Sequence, residues 1–197
     1  MKKERTPKSE KIMAAGKELF WKHGFYRVNV DEICQSAGVS RMTFYKNFRN
    51  KTDLAITILQ NFYDKQMAKY DSIINSDEDF TVKAREIILL KIEATENLSK
   101  EYLSDIFKME DSEISVWYHR IFSEYTEKLK KDLVRAQKNG EIRKDINIEF
   151  LMYFFNKFYE MVADPELLSH YASAQDMLVE IINFFFYGIQ PQKGKTK

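Results

Sequence analysis

Apolar residues recur at helical spacing along almost the whole chain, and this periodicity most constrains the fold. In the first segment, Ile12, Ala15 and Leu19 fall on one side of a helix. Only 3 prolines and 6 glycines occur in 197 residues, which argues against an all-β chain built on tight turns. No internal repeat and no pair of strands is recognisable. The sequence therefore predicts an all-α fold.

Capping residues and glycines set the expected limits of the helices. Ser9 is a candidate N-cap of the first helix, because its hydroxyl can accept from a free amide of the first turn, and Gly24 can close that helix. A loop is expected at Asp164-Pro165, and all three prolines are expected to lie outside helices. The predicted helices cover about residues 9–23, 30–37, 41–48, 52–75, 80–98, 100–108, 114–140, 147–163 and 173–187.

Several classes of protein are excluded by composition. The single cysteine excludes a disulfide framework and a cysteine-based zinc site within one chain. No apolar run reaches the roughly 18 residues of a membrane span, and the charged N-terminus is not followed by the apolar core of a secretory signal. We expect a soluble, cytoplasmic protein without a membrane partner.

The net charge of +1 hides a strong asymmetry along the chain. Residues 1–51 contain 12 Lys and Arg and 5 Asp and Glu, a net charge of 12 − 5 = +7. The other 146 residues contain 19 and 25, a net charge of 19 − 25 = −6. This split indicates a basic module for a polyanion and an acidic module with another task, although a basic segment can also be an ordinary solvated surface.

Two short helices separated by Ala37-Gly38-Val39-Ser40 form a helix-turn-helix pattern. Asn29 can cap the first helix, whose buried stripe is Val30, Ile33, Cys34 and Ala37. Gly38 tolerates the positive φ that the turn requires. Val39 and Phe44 can hold the second helix on the first. The other face of the second helix is then available to a DNA major groove, and it presents Arg41, Met42, Thr43, Tyr45 and Lys46.

At this point the sequence resembles the TetR family of bacterial transcriptional regulators. The resemblance covers about residues 9–62, a quarter of the chain, and its strongest stretch is AGVSRMTFYKNF at residues 37–48, followed by NKTDL at residues 50–54. It implies an N-terminal three-helix helix-turn-helix domain and a larger C-terminal helical domain that binds an effector and forms a homodimer. The family often carries threonine at positions 28 and 29, histidine at 47 and a small residue at 42, where this chain has Val28, Asn29, Asn47 and Met42.

The resemblance also assigns roles to single residues. Phosphate contacts are implied for Asn29, Tyr45, Lys46 and Lys51, and contacts with base edges for Arg41, Met42 and Thr43, beside the cap residue Ser40. Four of these assignments have a plainer alternative: Tyr45 packs on the first helix, Lys46 and Lys51 are solvated, and Met42 contacts only solvent. Cys34, on the buried stripe, is interpreted as a small core residue.

The last two long helices are apolar on nearly all sides. A helix of this kind needs a second partner in addition to its own core, and a two-fold dimer through both helices supplies one. The alternative is a thick monomeric core. The residues predicted for the dimer interface are Phe154, Phe158, Ile181 and Phe185.

The middle helices carry aromatic side chains at helical spacing. Such a stripe is either core or the wall of a pocket for a flat or elongated apolar ligand, which His119 could orient. Trp117 is expected to face the interior of the C-terminal domain, whereas Trp21 belongs to the DNA-binding domain. The predicted pocket residues are Tyr102, Phe107, Trp117, Tyr118, His119, Phe122 and Tyr125.

An enzymatic function finds little support in the sequence. His23, His119 and His170 are scattered, no histidine pair stands at i and i+4, and no phosphate-binding glycine loop occurs. We therefore assign no catalytic residue, metal ligand or cofactor.

The resulting hypothesis is a repressor that binds a double-stranded DNA operator as a homodimer and is released by a small apolar or aromatic effector. One alternative is a helix-turn-helix protein that responds to a protein partner, activates or organises DNA. A more remote one is a carrier of apolar ligands at a membrane surface. The predicted domains are residues 8–52 (helix-turn-helix at 29–48) and 53–189, with a disordered tail at 190–197.

Overall fold

The computed structural model describes residues 6–95, 98–108, 112–162 and 164–190, without the side chains of 106–108, 158–160 and 162. Within those residues the chain forms ten helices and no strand, which confirms the all-α prediction. The helices are α1 (Pro7–His23), α2 (Val30–Ala37), α3 (Arg41–Asn47), α4 (Lys51–Ile74), α5 (Phe80–Thr95), α6 (Lys100–Lys108), α7 (Glu113–Asn139), α8 (Ile148–Val162), α9 (Pro165–Ser169) and α10 (Ala174–Ile189).

The described residues form two compact units whose limits differ from the predicted boundary at residue 52. Residues up to 65 and those of 98–118 form the first unit, and the rest of the described chain forms the second. The sequence predicts segment 98–118 to be part of the C-terminal domain, but the structure places residues 98–108 and 112–118 with α1. Trp21 of α1 packs on Tyr102 of α6, with ring centroids 4.7 Å apart, and the Ser99 N–H donates to the Trp21 carbonyl over 2.9 Å.

Two prolines begin helices instead of lying outside them. Pro7 is the first residue of α1, so Thr6 and not Ser9 is the N-cap; the Thr6 hydroxyl accepts from the Ser9 N–H over 3.1 Å, and Ser9 Oγ accepts from the Thr6 N–H over 3.0 Å. Pro165 is the first residue of α9 and directly follows the N-cap Asp164, whereas the sequence predicts a loop here. Proline suits the first helical position because its φ is already helical and the N–H it lacks has no partner there.

The first unit is held by apolar side chains from its N-terminal helices. Each of α1 to α4 contributes a fully buried one: Ile12, Ile33, Phe44 and Leu54. These residues come from helices of 17, 8, 7 and 24 residues, so the two short helices are fixed by burial and not by their own length.

The core of the second unit combines side chains from α4, α5, α7, α8 and α10, among them Tyr70, Ile87, Leu133, Leu151 and Phe185. Asp132 is a buried carboxylate beside this core. It accepts from the Tyr70 hydroxyl over 3.0 Å and from Arg135 Nη2 over 3.0 Å. These partners offset the cost of burying its charge.

Two expectations concern the ends of the chain and the membrane. Residues 191–197 of the predicted tail, which include Pro191, lie outside the described part of the chain. None of the described helices combines the length and the apolar character that crossing a membrane would require.

Phe44 and Met42 provide a matched test of the packing of α3, since Phe44 is fully buried and Met42 is 68% exposed. We expect Phe44→Ala to lower the free energy of unfolding by about 3–5 kcal/mol, because it removes a buried ring. Met42→Ala should change it by no more than about 0.5 kcal/mol. Denaturant titration followed by tryptophan fluorescence measures both, because Trp21 and Trp117 lie in the first unit. Equal stability of the two variants would contradict this packing.

Candidate nucleic-acid interface

The turn between α2 and α3 has the geometry that a helix-turn-helix requires. Gly38 lies at φ 62° and ψ 39°, in the left-handed region that favours glycine. Its N–H donates to the Gln35 carbonyl over 3.2 Å, and the Val39 N–H donates to the Cys34 carbonyl over 3.0 Å, which satisfies the end of α2. Ser40 then caps α3, and its Oγ accepts from the Thr43 N–H over 3.2 Å. Ser40 therefore acts as a structural cap in the free protein.

Helix α3 presents apolar anchors to the core and polar residues to solvent. Phe44 and Phe48 are buried, and their ring centroids are 5.9 Å apart. Tyr45 touches Phe44 edge-on, yet it remains 56% exposed, so it is not packed away on α1. Thr43 is half-buried beside Ser40, with the two hydroxyl oxygens 3.1 Å apart. The exposed residues of this helix are Arg41, Met42, Tyr45 and Lys46.

Asn29 forms the N-cap of α2 and is exposed. Its Oδ1 accepts from the Glu32 N–H over 3.0 Å, and its own N–H donates to Glu32 Oε2 over 2.9 Å. This reciprocal capping box orders the start of α2. Because the cap uses Oδ1, the side-chain amide nitrogen of Asn29 is the group that suits a phosphate.

Arg41 is paired with Asp31 of α2, a contact that is not predicted from the sequence. Arg41 Nε donates to Asp31 Oδ1, and Arg41 Nη2 donates to Asp31 Oδ2. Both side chains are more than half exposed. Hydrogen bonds from Arg41 lower the pKa of the Asp31 carboxyl below its ordinary value, so the carboxylate is charged at pH 7. The sequence offered one signal, an acid in the first turn of α2, which also has a sufficient explanation in the helix dipole.

Lys51 is turned toward the protein, whereas the sequence predicts a phosphate contact for it. Its Nζ donates to the carbonyls of Phe25 and Val28, each over 2.8 Å, and lies 4.3 Å from the centre of the Phe25 ring. Burial lowers the pKa of the Lys51 ammonium below its ordinary value, against the opposing charge of Asp105. These contacts make Lys51 a clamp on the loop between α1 and α2.

Asp105 of α6 holds the same loop from another side. Its Oδ2 accepts from the Tyr26 N–H over 3.1 Å. Gly24, at φ 81°, allows this approach, because a Cβ at that position would lie 2.4 Å from Asp105 Oδ2. No local sequence pattern predicts this role of Asp105, because its partner Tyr26 is 79 residues away in the chain.

The predicted ligand-pocket residues are divided between the two units. Trp117 belongs to the first unit and not to the interior of a C-terminal body; its indole N–H donates to Gln60 Oε1 over 2.8 Å. Tyr102 is buried there beside Trp21, Tyr118 is half-buried, and the side chain of Phe107 lies outside the described part. In the second unit, His119 is exposed and Phe122 and Tyr125 are half-buried.

An aromatic cluster of the second unit contains two of those residues. Phe155 stacks on Phe122 with centroids 6.3 Å apart and lies 5.8 Å from Tyr125. Lys91 Nζ lies 4.8 Å from the centre of the Tyr125 ring. This cluster therefore joins aromatic surfaces to one cation.

The predicted dimer-interface residues fall in different environments. Phe185 lies in the core of the second unit, whereas its neighbour Phe184 faces out. The two differ because successive helical residues point about 100° apart. Phe154 and Ile181 are half-buried, and the side chain of Phe158 lies outside the described part. The outer face of α8 and α10 is an aromatic surface, and within it the Phe154 ring of α8 lies 6.1 Å from the Phe184 ring of α10. Its exposed aromatic members are Phe150, Tyr153, Phe184 and Tyr187.

The possible metal ligands of the described part of the chain are not clustered. Its His, Cys, Asp and Glu residues form no group of three that could hold a metal ion. His23, His119 and His170 are all exposed. Burial raises the pKa of the Cys34 thiol above its ordinary value, which disfavours the reactive thiolate.

Comparisons with known proteins relate this interface to a family. The sequence model described as bacterial regulatory proteins, tetR family, matches residues 12–58. The HTH-type transcriptional regulator UidR of Escherichia coli K12 is 26% identical over 149 residues, 75% of this chain and 75% of that protein.

Solved structures agree in fold. The regulatory protein TetR from Rhodobacter sphaeroides matches with a TM-score of 0.73 at 17% identity, over 93% of this chain and 100% of that chain. The transcriptional regulator FadR from Bacillus subtilis, solved in complex with stearoyl-CoA, matches with a TM-score of 0.65 at 19% identity, over 92% and 99% of the two chains.

The contrast between Lys46 and Lys51 yields a prediction for a duplex of random sequence. Lys46→Ala should weaken binding and make its salt dependence shallower by about one unit, because one phosphate contact is lost. It should leave the free energy of unfolding within about 0.5 kcal/mol. Lys51→Ala should lower that free energy by about 1.5–3 kcal/mol, because two carbonyls lose a charged donor, and leave the salt slope unchanged.

Thermal unfolding and fluorescence anisotropy in a salt series measure these effects. A stable Lys51→Ala protein with a shallower slope would show that Lys51 contacts phosphate after all.

Proposed function

We propose, from the premise that this chain belongs to the TetR family of bacterial regulatory proteins, that it is a DNA-binding transcriptional regulator that acts as a ligand-released repressor. The observation that carries the proposal is the orientation of α3. Two buried phenylalanines, Phe44 and Phe48, hold this helix so that its polar and basic face is exposed. A rigid helix with such a face is what a major groove accepts.

The contacts divide into those that position the protein and those that read sequence. Lys46 and Tyr45 on α3 and the capped start of α2 at Asn29 serve the phosphates. Arg41 and Thr43, at the start of α3, serve the base edges. The exposed thioether of Met42 suits the apolar methyl group of thymine.

The aromatic surface of α8 and α10 supports a homodimer. Four large aromatic side chains, Phe150, Tyr153, Phe184 and Tyr187, are exposed on the outer face of these two helices, and an exposed apolar surface of this kind favours a protein–protein contact. A two-fold contact through this surface presents two copies of α3 to DNA, about 34–36 Å apart for half-sites one turn apart or wider for longer operators. The operator is therefore palindromic.

The aromatic cluster around Phe155 supports an effector with an apolar body. FadR of Bacillus subtilis, a structural neighbour, was solved with stearoyl-CoA, which combines a long acyl chain with anionic groups. In this chain, Phe122, Tyr125 and Phe155 offer apolar surface, and Lys91 offers a cation beside it. We assign the effector to the class of apolar molecules with an acyl or aromatic body and an anionic group. By linkage, such an effector releases DNA only as far as it binds the free dimer more tightly than the DNA-bound dimer.

The dimer and its operator are tested together. A duplex is first selected by the wild-type chain from a pool of random-sequence duplexes, and we expect it to be palindromic. Phe184→Glu should place a charge in the interface and yield a folded monomer, because Phe184 is 64% exposed and not part of the core. Its affinity for the selected duplex should fall at least about tenfold, since the two half-sites are no longer bound together. Analytical ultracentrifugation and anisotropy are the measurements.

Leu89→Glu is the matched control, since Leu89 is also exposed and lies in the second unit on α5. This variant should remain dimeric and bind as the wild type does. A dimeric Phe184→Glu protein would reject this interface.

The effector class is tested with stearoyl-CoA, stearate and free coenzyme A as probes. Stearoyl-CoA or stearate should release the selected duplex from the wild type, and free coenzyme A should not, because it has no acyl body. Lys91→Met keeps the apolar stem and removes the charge, so release should require at least about tenfold more ligand. Lys69→Met is the control, because Lys69 pairs with Glu93 in the same unit. If none of the probes releases DNA, control by a protein partner becomes the better proposal.

A further inference from the structure

We propose that Asp31 is a specificity-determining residue of the DNA-binding surface, because it orients Arg41 toward one base edge and withholds it from the phosphate backbone. This inference rests on the proposed placement of α3 in the major groove. Asp31 lies on α2 and the residue that it controls lies on α3, so the two helices of the motif form this reading group together.

The side-on pairing leaves the DNA-reading donors of Arg41 available. A guanidinium has five N–H groups, and the Asp31 carboxylate takes one from Nε and one from Nη2. The remaining donors lie on Nη1 and Nη2 and include two that point forward in parallel. Guanine offers O6 and N7 as a matching pair of acceptors on the major-groove edge. Arg41 can therefore bind Asp31 and a guanine simultaneously.

The position of the carboxylate is fixed by the fold. Asp31 is in the first turn of α2, whose start is ordered by the Asn29–Glu32 capping box, and Arg41 is the first residue of α3 after the Gly38 turn. The neighbouring Glu32 carboxylate is engaged in the cap, where its Oε2 accepts from the Asn29 N–H. A pre-positioned Arg41 loses less side-chain freedom when it binds a base than a mobile arginine does.

The charge of Asp31 also acts against unspecific binding. An unpaired arginine on a DNA-facing surface is attracted to any phosphate and releases a counterion wherever it binds. Paired with a carboxylate, the guanidinium adds almost no net charge at that point, and the carboxylate repels a nearby phosphate. The pair therefore lowers affinity for random DNA and retains the directional hydrogen bonds to a base. Specificity is the ratio of the two affinities, so it rises.

The experiment compares the duplex selected by the wild-type chain with a scrambled duplex of the same composition, by anisotropy over a series of KCl concentrations. Asp31→Asn keeps the shape and removes the charge. We expect tighter binding to the scrambled duplex, a salt slope steeper by about 0.9 units, and a specificity ratio lower by about 5- to 100-fold. Arg41→Lys should keep the affinity for the scrambled duplex and lose the preference for the selected one, because lysine cannot form the bidentate contact.

Two further variants separate this role from a general change of charge or a loss of fold. Glu18→Gln makes the same change in net charge at an exposed position of α1 and should leave the specificity ratio unchanged. In an Arg41→Ala background, Asp31→Asn should no longer alter the ratio, because Asp31 acts through Arg41. Thermal unfolding of each variant shows that it is folded, and Arg41→Lys tests the same pair should Asp31→Asn destabilise α2.

The outcomes are distinct. An unchanged ratio in Asp31→Asn, an equal change in Glu18→Gln, or an effect that persists without Arg41 would overturn the role of Asp31 while DNA binding stands. If the wild-type chain selects no duplex, the proposed function fails and this inference fails with it.

Discussion

Burial of Phe44 is the interaction on which the proposed DNA-facing surface depends. Helix α3 has only seven residues, and a helix of that length is not stable by itself in water. Its stability therefore comes from the core that Phe44 enters and from the cap that Ser40 provides. The same burial sets the rotation of the helix, since fixing one residue inward leaves Met42 and Tyr45 outward. The packing of α3 on the core and the exposure of its outer side chains are therefore consequences of the same contact.

The positive charge of the N-terminal segment is distributed among different tasks. Lys51 donates to two backbone carbonyls, and Arg41 is matched by Asp31, so neither adds a simple unpaired charge to the surface. Lys46 is exposed on the outward face of α3. The net charge of +7 over residues 1–51 therefore overstates the attraction that this segment exerts on a phosphate backbone.

Local signals in the sequence predicted the helices well, and nonlocal contacts limited the rest. The periodicity of apolar residues, the turn at Gly38 and the caps at Asn29 and Ser40 each depend on residues close together in the chain. They can therefore be predicted from the sequence. The N-cap of α1 was misplaced because both Thr6 and Ser9 can cap, and only Pro7 decides between them. The inward role of Lys51 could not be predicted, because the carbonyls that attract it lie 26 and 23 residues away.

Contacts between distant segments also explain why the first unit extends beyond the boundary predicted at residue 52. The first unit is completed by α6, whose Asp105 accepts from the Tyr26 N–H and whose Tyr102 covers Trp21. Lys51 clamps the same loop from the start of α4. That loop leads directly into Asn29, the cap of α2, so its conformation determines where α2 and then α3 begin. The geometry of the proposed DNA-facing surface is therefore set partly by α6, and a compact sequence motif does not by itself define the unit that positions it.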